Sequence, residues 1–127
     1  MQKVRIADKL AQFDDYWNPR IVGELNGQQV KLVKFRGEFV WHHHAGEDEL
    51  FLVLRGSLSM AYRDHEGQER SIEVNAGEFI IVPRGSEHRP SADEEVHVLL
   101  FEPAGTLNTG NVQNDLTVDK PPSLLSG

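Results

Sequence analysis

Three consecutive histidines, His42, His43 and His44, are followed five residues later by Glu49, and His88 stands far downstream, just after Pro83-Arg84-Gly85. Side chains alternate across an extended chain, so His42 and His44 face one way while His43 faces the other, together with Trp41 and Phe39. A tight turn over Ala45 to Asp48 brings the chain back, so that Glu49 opens the next strand beside the two imidazoles. Glu47 and Asp48 compete for the carboxylate role, but both fall in the turn, and Glu49 alone has the strand register. Three neutral imidazoles and one carboxylate suit Mn, Fe, Co, Ni or Zn; an octahedral ion held this way keeps two adjacent positions open for substrate or water. The expected cofactor is one divalent transition metal per chain, held by His42, His44, Glu49 and His88. A histidine taken alone is more often a surface or satisfied core residue than a ligand. The common facing of the pair, the following glutamate and the distant histidine after a turn make the case together. His65, inside the polar Asp64-His65-Glu66-Gly67 turn, reads as solvated, and His97, on an apolar strand, reads as packed.

For proton transfer beside such a site the candidates are Glu38, which shares alternation with His42 and His44, and Tyr62 and Glu87 near strand ends. Glu38 and Tyr62 are the expected catalytic pair. Arg36, Arg55, Arg84 and Arg89 lie near the histidines in sequence, but arginines at strand-end turns are ordinarily solvated, so a specific phosphate site is not implied.

The elements that position these residues are short. From Val30 onward, β-branched and aromatic stretches alternate with turn signals: Val30 to Phe35, Phe39 to His44, Leu50 to Leu54, Leu58 to Arg63, Ser71 to Val74, Phe79 to Val82 and Val96 to Phe101. Closely spaced strands with no helical pattern between them predict an all-β antiparallel sandwich or barrel and exclude a parallel α/β fold. Upstream, Ile6, Leu10, Phe13 and Trp17 share one face of a helix over about residues 7–17, with Asp8 as N-cap and Pro19 as its stop. The strands at Leu50–Leu54 and Val96–Phe101 are apolar on both faces, so the second face needs a cover. The helix covers part of it, and a second copy of the chain is expected to cover the rest, as a homodimer. After Pro103 the chain turns polar and Gly/Asn-rich, which predicts a peripheral arm over residues 103–127 with a frayed end.

Composition narrows the function classes. A chain of 127 residues, 39% hydrophobic and 26% charged, suits one domain able to bury its own core. With 13 basic against 20 acidic side chains, the formal charge of −7 argues against nucleic-acid partners. The absence of cysteine removes disulfides, thiolate ligands and thiol nucleophiles. No stretch approaches the roughly 18 apolar residues of a membrane span, and the first ten residues lack the apolar core of a signal peptide. A cytoplasmic protein acting on a small molecule, without nucleic-acid or membrane partners, is expected.

The histidine region resembles the first motif of the cupins: a glycine, His-x-His, a glutamate after three or four residues, and a glycine six residues on. His42-His43-His44, Ala45 to Asp48, Glu49 and Gly56 reproduce it; Gly37 stands four residues before His42 where the motif has five. The second motif, glycine, Pro-x-Gly, histidine and asparagine, is matched by Gly77, Pro83-Arg84-Gly85 and His88, with Ala92 where the motif ends in Asn. The likeness runs from about Ile6 to about Val118 and is similar to small bacterial cupins often labelled mannose-6-phosphate isomerase-like. It implies a single cupin domain over 1–127, a jelly-roll β-barrel over about 30–102 with the metal inside on His42, His44, Glu49 and His88, and commonly a dimer. Dioxygenation, decarboxylation and sugar isomerisation are the reactions such a resemblance implies, alongside a non-catalytic ligand-binding or sensor role.

Overall fold

The computed structural model describes residues 1–125, and the far end of the expected frayed arm lies outside them. One short helix, α1 (Ile6–Leu10), precedes seven strands: β1 (Arg20–Leu25), β2 (Gln28–Glu38), β3 (Glu49–Arg55), β4 (Ser57–Arg63), β5 (Glu69–Asn75), β6 (Phe79–Val82) and β7 (His88–Pro103). All pairings between them are antiparallel. One layer runs β1-β2-β7-β3-β6, while β4 pairs with β5 on one side and with the start of β7 on the other. β7 therefore serves both layers: its first residues pair with β4, and Val96 to Pro103 lie between β2 and β3. The exposed Asp93, Glu94 and Glu95 mark the crossing. This is an antiparallel barrel, as the strand pattern predicts, of the double-sheet jelly-roll kind that the cupin resemblance implies.

Alternation builds the core. Val33 and Phe35 of β2, Phe51 and Val53 of β3, Leu58 and Met60 of β4, and Val96, Val98 and Leu100 of β7 all point inward and are buried. Trp17 closes one end of the barrel, stacked on Phe35 at 4.3 Å and Phe39 at 4.7 Å, with its indole N–H donating to the Arg36 carbonyl at 3.0 Å. Truncating such a residue to alanine typically costs about 3–5 kcal/mol. Outside the barrel, Phe13, Val22 and Leu32 form a second cluster, with Leu10, Leu99 and Leu124 packed against it. The opening segment and the chain end thus cover part of the outer face. Next to them Phe79 and Ile81 stay 58% exposed.

Several expectations change. The helix spans only Ile6–Leu10, not 7–17: the chain leaves it at Ala11, and Trp17 adopts a φ of 62°, which no helix permits. Arg5, not Asp8, is the N-cap residue, and no side chain caps it. The barrel begins before residue 30, because β1 and β2 form a hairpin around Asn26-Gly27, both at positive φ as a two-residue hairpin turn requires. The expected strand over Phe39 to His44 is irregular chain carrying a single bridge, His42 to His88. Phe39 faces the core instead of sharing the His43 side. The arm beyond Pro103 is docked, with Thr106 and Thr109 buried and Ser123 bridged to Ile21.

Candidate metal centre

The irregular segment that carries His42 is held by backbone bonds. His42 and His88 exchange two, N–H to carbonyl, at 3.0 and 2.9 Å, which places their rings 4.2 Å apart. Gly85 donates its N–H to the His44 carbonyl at 2.8 Å, and the Asp48 carboxylate accepts from the Arg84 backbone at 2.8 Å. The turn over Ala45 to Asp48 and the Pro83-Arg84-Gly85 turn are thereby locked together. On the other side, the Asn111 side-chain oxygen accepts from the His43 N–H at 2.9 Å, and the Asn111 N–H donates to the His43 carbonyl at 3.1 Å. A Cβ on Gly110 would overlap that same carbonyl.

His42, His44, Glu49 and His88 are all buried, and their candidate ligand atoms lie within 4.8 Å of one another. The Nδ1 atoms of His42 and His88 meet the carbonyls of Val40 and Ser86 at 2.9 and 2.8 Å. With the proton held on Nδ1, each Nε2 offers its lone pair. Glu49 Oε1 stands 2.8 Å from His44 Nε2 and 3.4 Å from His88 Nε2, yet none of the three atoms is aligned in a hydrogen bond. Buried polar atoms without partners are costly. Here they converge on one another, which is the arrangement a cation would satisfy. The donor set, nitrogen with one carboxylate oxygen and no sulfur, suits a first-row divalent ion.

The electrostatics agree. Burial, followed by the neighbouring His88, pushes His42 from 6.5 down to about 4, so it is neutral at physiological pH and free to bind. Burial alone would raise Glu49, but the polar contacts of Glu102, His44 and His88 outweigh it and hold the carboxyl well below its ordinary value. Glu102 moves the other way, raised by burial and by the adjacent Glu49.

The four ligand candidates come together, and His43 stays on the opposite side, half-buried and tied to Asn111 by its backbone. Of the rival carboxylates, Asp48 is spent on Arg84 and Glu47 accepts from Gly46 at the surface. Glu38 is not brought in: Phe39 and His42 both face inward, so the alternation slips in the irregular chain between them, and the Glu38 side chain is 69% exposed, 3.5 Å from Arg89. Tyr62 is half-buried on β4, in register with His88, and lines an open groove of about 1060 Å³ that also reaches His88. Glu87 pairs with Arg63 at the surface. Arg84 is engaged by Asp48 and Arg89 lies over Trp41 near Glu38, while Arg36 and Arg55 are exposed. His97 contacts Glu95 at 2.7 Å, away from the four.

Two residues of the site escaped the sequence reading. Lys31 and Glu102 form a buried ion pair, Nζ to Oε1 at 2.8 Å, and Glu102 touches Glu49. Glu102 also lines a cavity of about 30 Å³ beside His42 and Glu49, walled by Trp17, Phe35 and Phe51. Their alternation with Val33 and Phe35, and with Val98 and Leu100, was the available signal.

Comparison with known proteins follows the same lines. A cupin-2 domain containing protein from Shewanella frigidimarina, of known crystal structure, is 44% identical, with a TM-score of 0.74 over 79% of this chain and 93% of that one. The Bacillus subtilis protein YdbB, itself uncharacterized, is 38% identical over 68 residues, 54% of this chain and 57% of that protein. Acireductone dioxygenase of Drosophila pseudoobscura pseudoobscura is 34% identical over 96 residues, 63% of this chain and 51% of that enzyme. The matches thus span little more than half the length of these two curated relatives. The cupin domain model matches residues 30–102, the stretch that supplies all four converging side chains, and the chain belongs to the cupin family.

Proposed function

We propose that this chain is a metal-dependent cupin enzyme that acts on a small polar molecule, with oxygen-dependent chemistry of the dioxygenase type. The observation that carries it is the set of buried, unpartnered ligand atoms on His44, Glu49 and His88 beside the neutral His42. A divalent ion bound there supplies Lewis acidity and, for Fe or Mn, redox chemistry, with positions left open for substrate. The chain's own part is to hold the imidazoles convergent, with the Val40 and Ser86 carbonyls fixing His42 and His88 and burial keeping His42 neutral. The open groove that ends at His88 gives a small molecule room, with Met60 and Ile80 as apolar wall and Tyr62 as a polar group. The similarity to acireductone dioxygenase supports oxygen chemistry over decarboxylation or sugar isomerisation.

Metal analysis of the purified, untagged protein beside a His42→Ala/His88→Ala variant tests the centre, followed by oxygen uptake with enediol and catechol-type substrates. About one Fe, Mn, Co, Ni or Zn per chain, lost in the variant, together with uptake, supports the reading. Metal without uptake leaves a ligand-binding or sensor cupin, and no metal after reconstitution removes the enzyme.

We further propose a cytoplasmic homodimer. Among the described residues no helix is long and apolar enough to cross a membrane. Phe79 and Ile81 continue, through register with Leu52 and Leu50, into Leu99 and Phe101. That row carries no charge, so a second copy of the same face suits it.

A further inference from the structure

We infer that Lys31 and Glu102 are positioning residues of the metal centre: a buried ion pair that reaches Glu49 from behind and fixes the direction in which its carboxylate meets the imidazoles. The inference rests on the metal-centre reading. Three strands supply the chain of contacts, Lys31 from β2, Glu102 from β7 and Glu49 from β3, and β7 lies between the other two. Lys31 and Glu102 are each 2% exposed at the side chain. Lysine and glutamate are almost never buried this deeply, because desolvating both charges consumes what their attraction returns, and apolar replacements of like size are commonly as stable.

Their neighbours on the same inward faces are Val33, Phe35, Val98 and Leu100, so a barrel built only for stability would continue apolar at both positions. What the pair does achieve is local. Glu102 Oε1 accepts from Lys31 and Oε2 is buried without a hydrogen-bond partner; Leu50 pairs with Phe101, so Glu102 and Glu49 stand opposite each other on neighbouring strands and line the same small cavity. Glu49 is thereby backed by the Glu102 carboxyl on one side, with Oε1 facing His44 and His88. Groups that hold a ligand from behind typically set metal affinity by 10–100-fold.

The test uses Co²⁺ as probe, with the metal-free protein as reference. A Lys31→Met/Glu102→Leu double variant keeps the volume and removes the grip. It is expected to unfold at the wild-type temperature or above when metal-free, to bind Co²⁺ about 10–100-fold more weakly, and to show a changed visible absorption of the bound ion. Glu102→Gln keeps the side chain's shape and an acceptor for Lys31. Its Co²⁺ affinity and spectrum should stay close to wild type, a rescue that a merely structural role does not predict. Wild-type affinity and spectrum in the double variant overturn the inference. So does an equal loss in Glu102→Gln and the double variant that tracks lost metal-free stability. If the double variant does not fold, Lys31→Met alone carries the same readouts. Failure of the wild type to bind Co²⁺ overturns the metal centre itself, a distinct result.

Discussion

Gly110 lets the C-terminal segment touch the histidine loop, and Gly110→Ala measures what that contact holds. Gly110 has φ of +55°, and a Cβ there would overlap the His43 carbonyl and come within 3.1 Å of His42 Cδ2. The left-handed conformation costs a non-glycine residue roughly 1–2 kcal/mol. Overpacking against fixed backbone adds about 1–3 kcal/mol. Gly105 is the control, because it has φ of +88° and no heavy atom within 4 Å of its Cβ position, so Gly105→Ala feels the conformational cost alone. For a domain of this size 1 kcal/mol moves the melting temperature by about 3–5 °C. Gly110→Ala should therefore lower it by roughly 10 °C, and Gly105→Ala by about half that or less. The two should also separate in metal binding, since only Gly110→Ala displaces the carbonyl between His42 and His44. Calorimetry of the metal-free proteins and Co²⁺ titration read both quantities. Equal melting shifts with equal metal affinities would refute the close approach and the positioning argument built on it.

Acid should weaken the metal-free protein through His42. Its pKa is about 4 when folded against an ordinary 6.5, so the unfolded chain binds the proton first; stability is complete above pH 6.5 and lost towards pH 4, by about 3 kcal/mol. Urea unfolding at pH 7.5 and 4.5 checks this, and a flat profile contradicts it. Glu38→Gln is expected to leave metal content and turnover unchanged, because the 69% exposed side chain faces solvent; a loss of turnover with metal retained would restore Glu38 to the chemistry. Phe79→Asp with Ile81→Asp should yield monomers by light scattering, with metal content intact, and a dimer that survives both changes would place the interface elsewhere.

The ligands were legible because they depend only on alternation and turn spacing, and the His42–His88 bridge preserves the alternation even though the segment is not a strand. Glu38 was misread because that same alternation fails just upstream of the histidines, where Phe39 and His42 both face inward. The helix was overextended because Phe13 and Trp17 sit at helical spacing while answering to different partners: Phe13 packs outside with Val22 and Leu32, and Trp17 stacks inside on Phe35 and Phe39. β7 was cut short because its polar middle, Asp93 to Glu95, looks like a loop in sequence and is the place where the strand passes from one layer to the other. Lys31 and Glu102 were passed over because a charge in an alternating strand is ordinarily read as facing water. The Asn26-Gly27 dipeptide carried a direct local signal for the β1–β2 hairpin, which a reading that begins its strands at Val30 passed over.

The sharing of β7 between both layers has a consequence for how the chain reaches its native state. β2 and β3 each depend on β7 for a central pairing, and β7 is the last strand in the sequence. During synthesis the hairpins β1–β2 and β4–β5 and the β3–β6 pair can form before β7 exists; the other edge of Leu50 to Leu54, apolar on both faces, waits for β7. Folding is then governed by long-range closure, the slow regime for small domains, and the nascent barrel presents a sticky strand until the ribosome has delivered residue 103. Once β7 is in place it ties both sheets into one cooperative unit, so amide exchange along β7 should report global opening of the barrel, not local fraying.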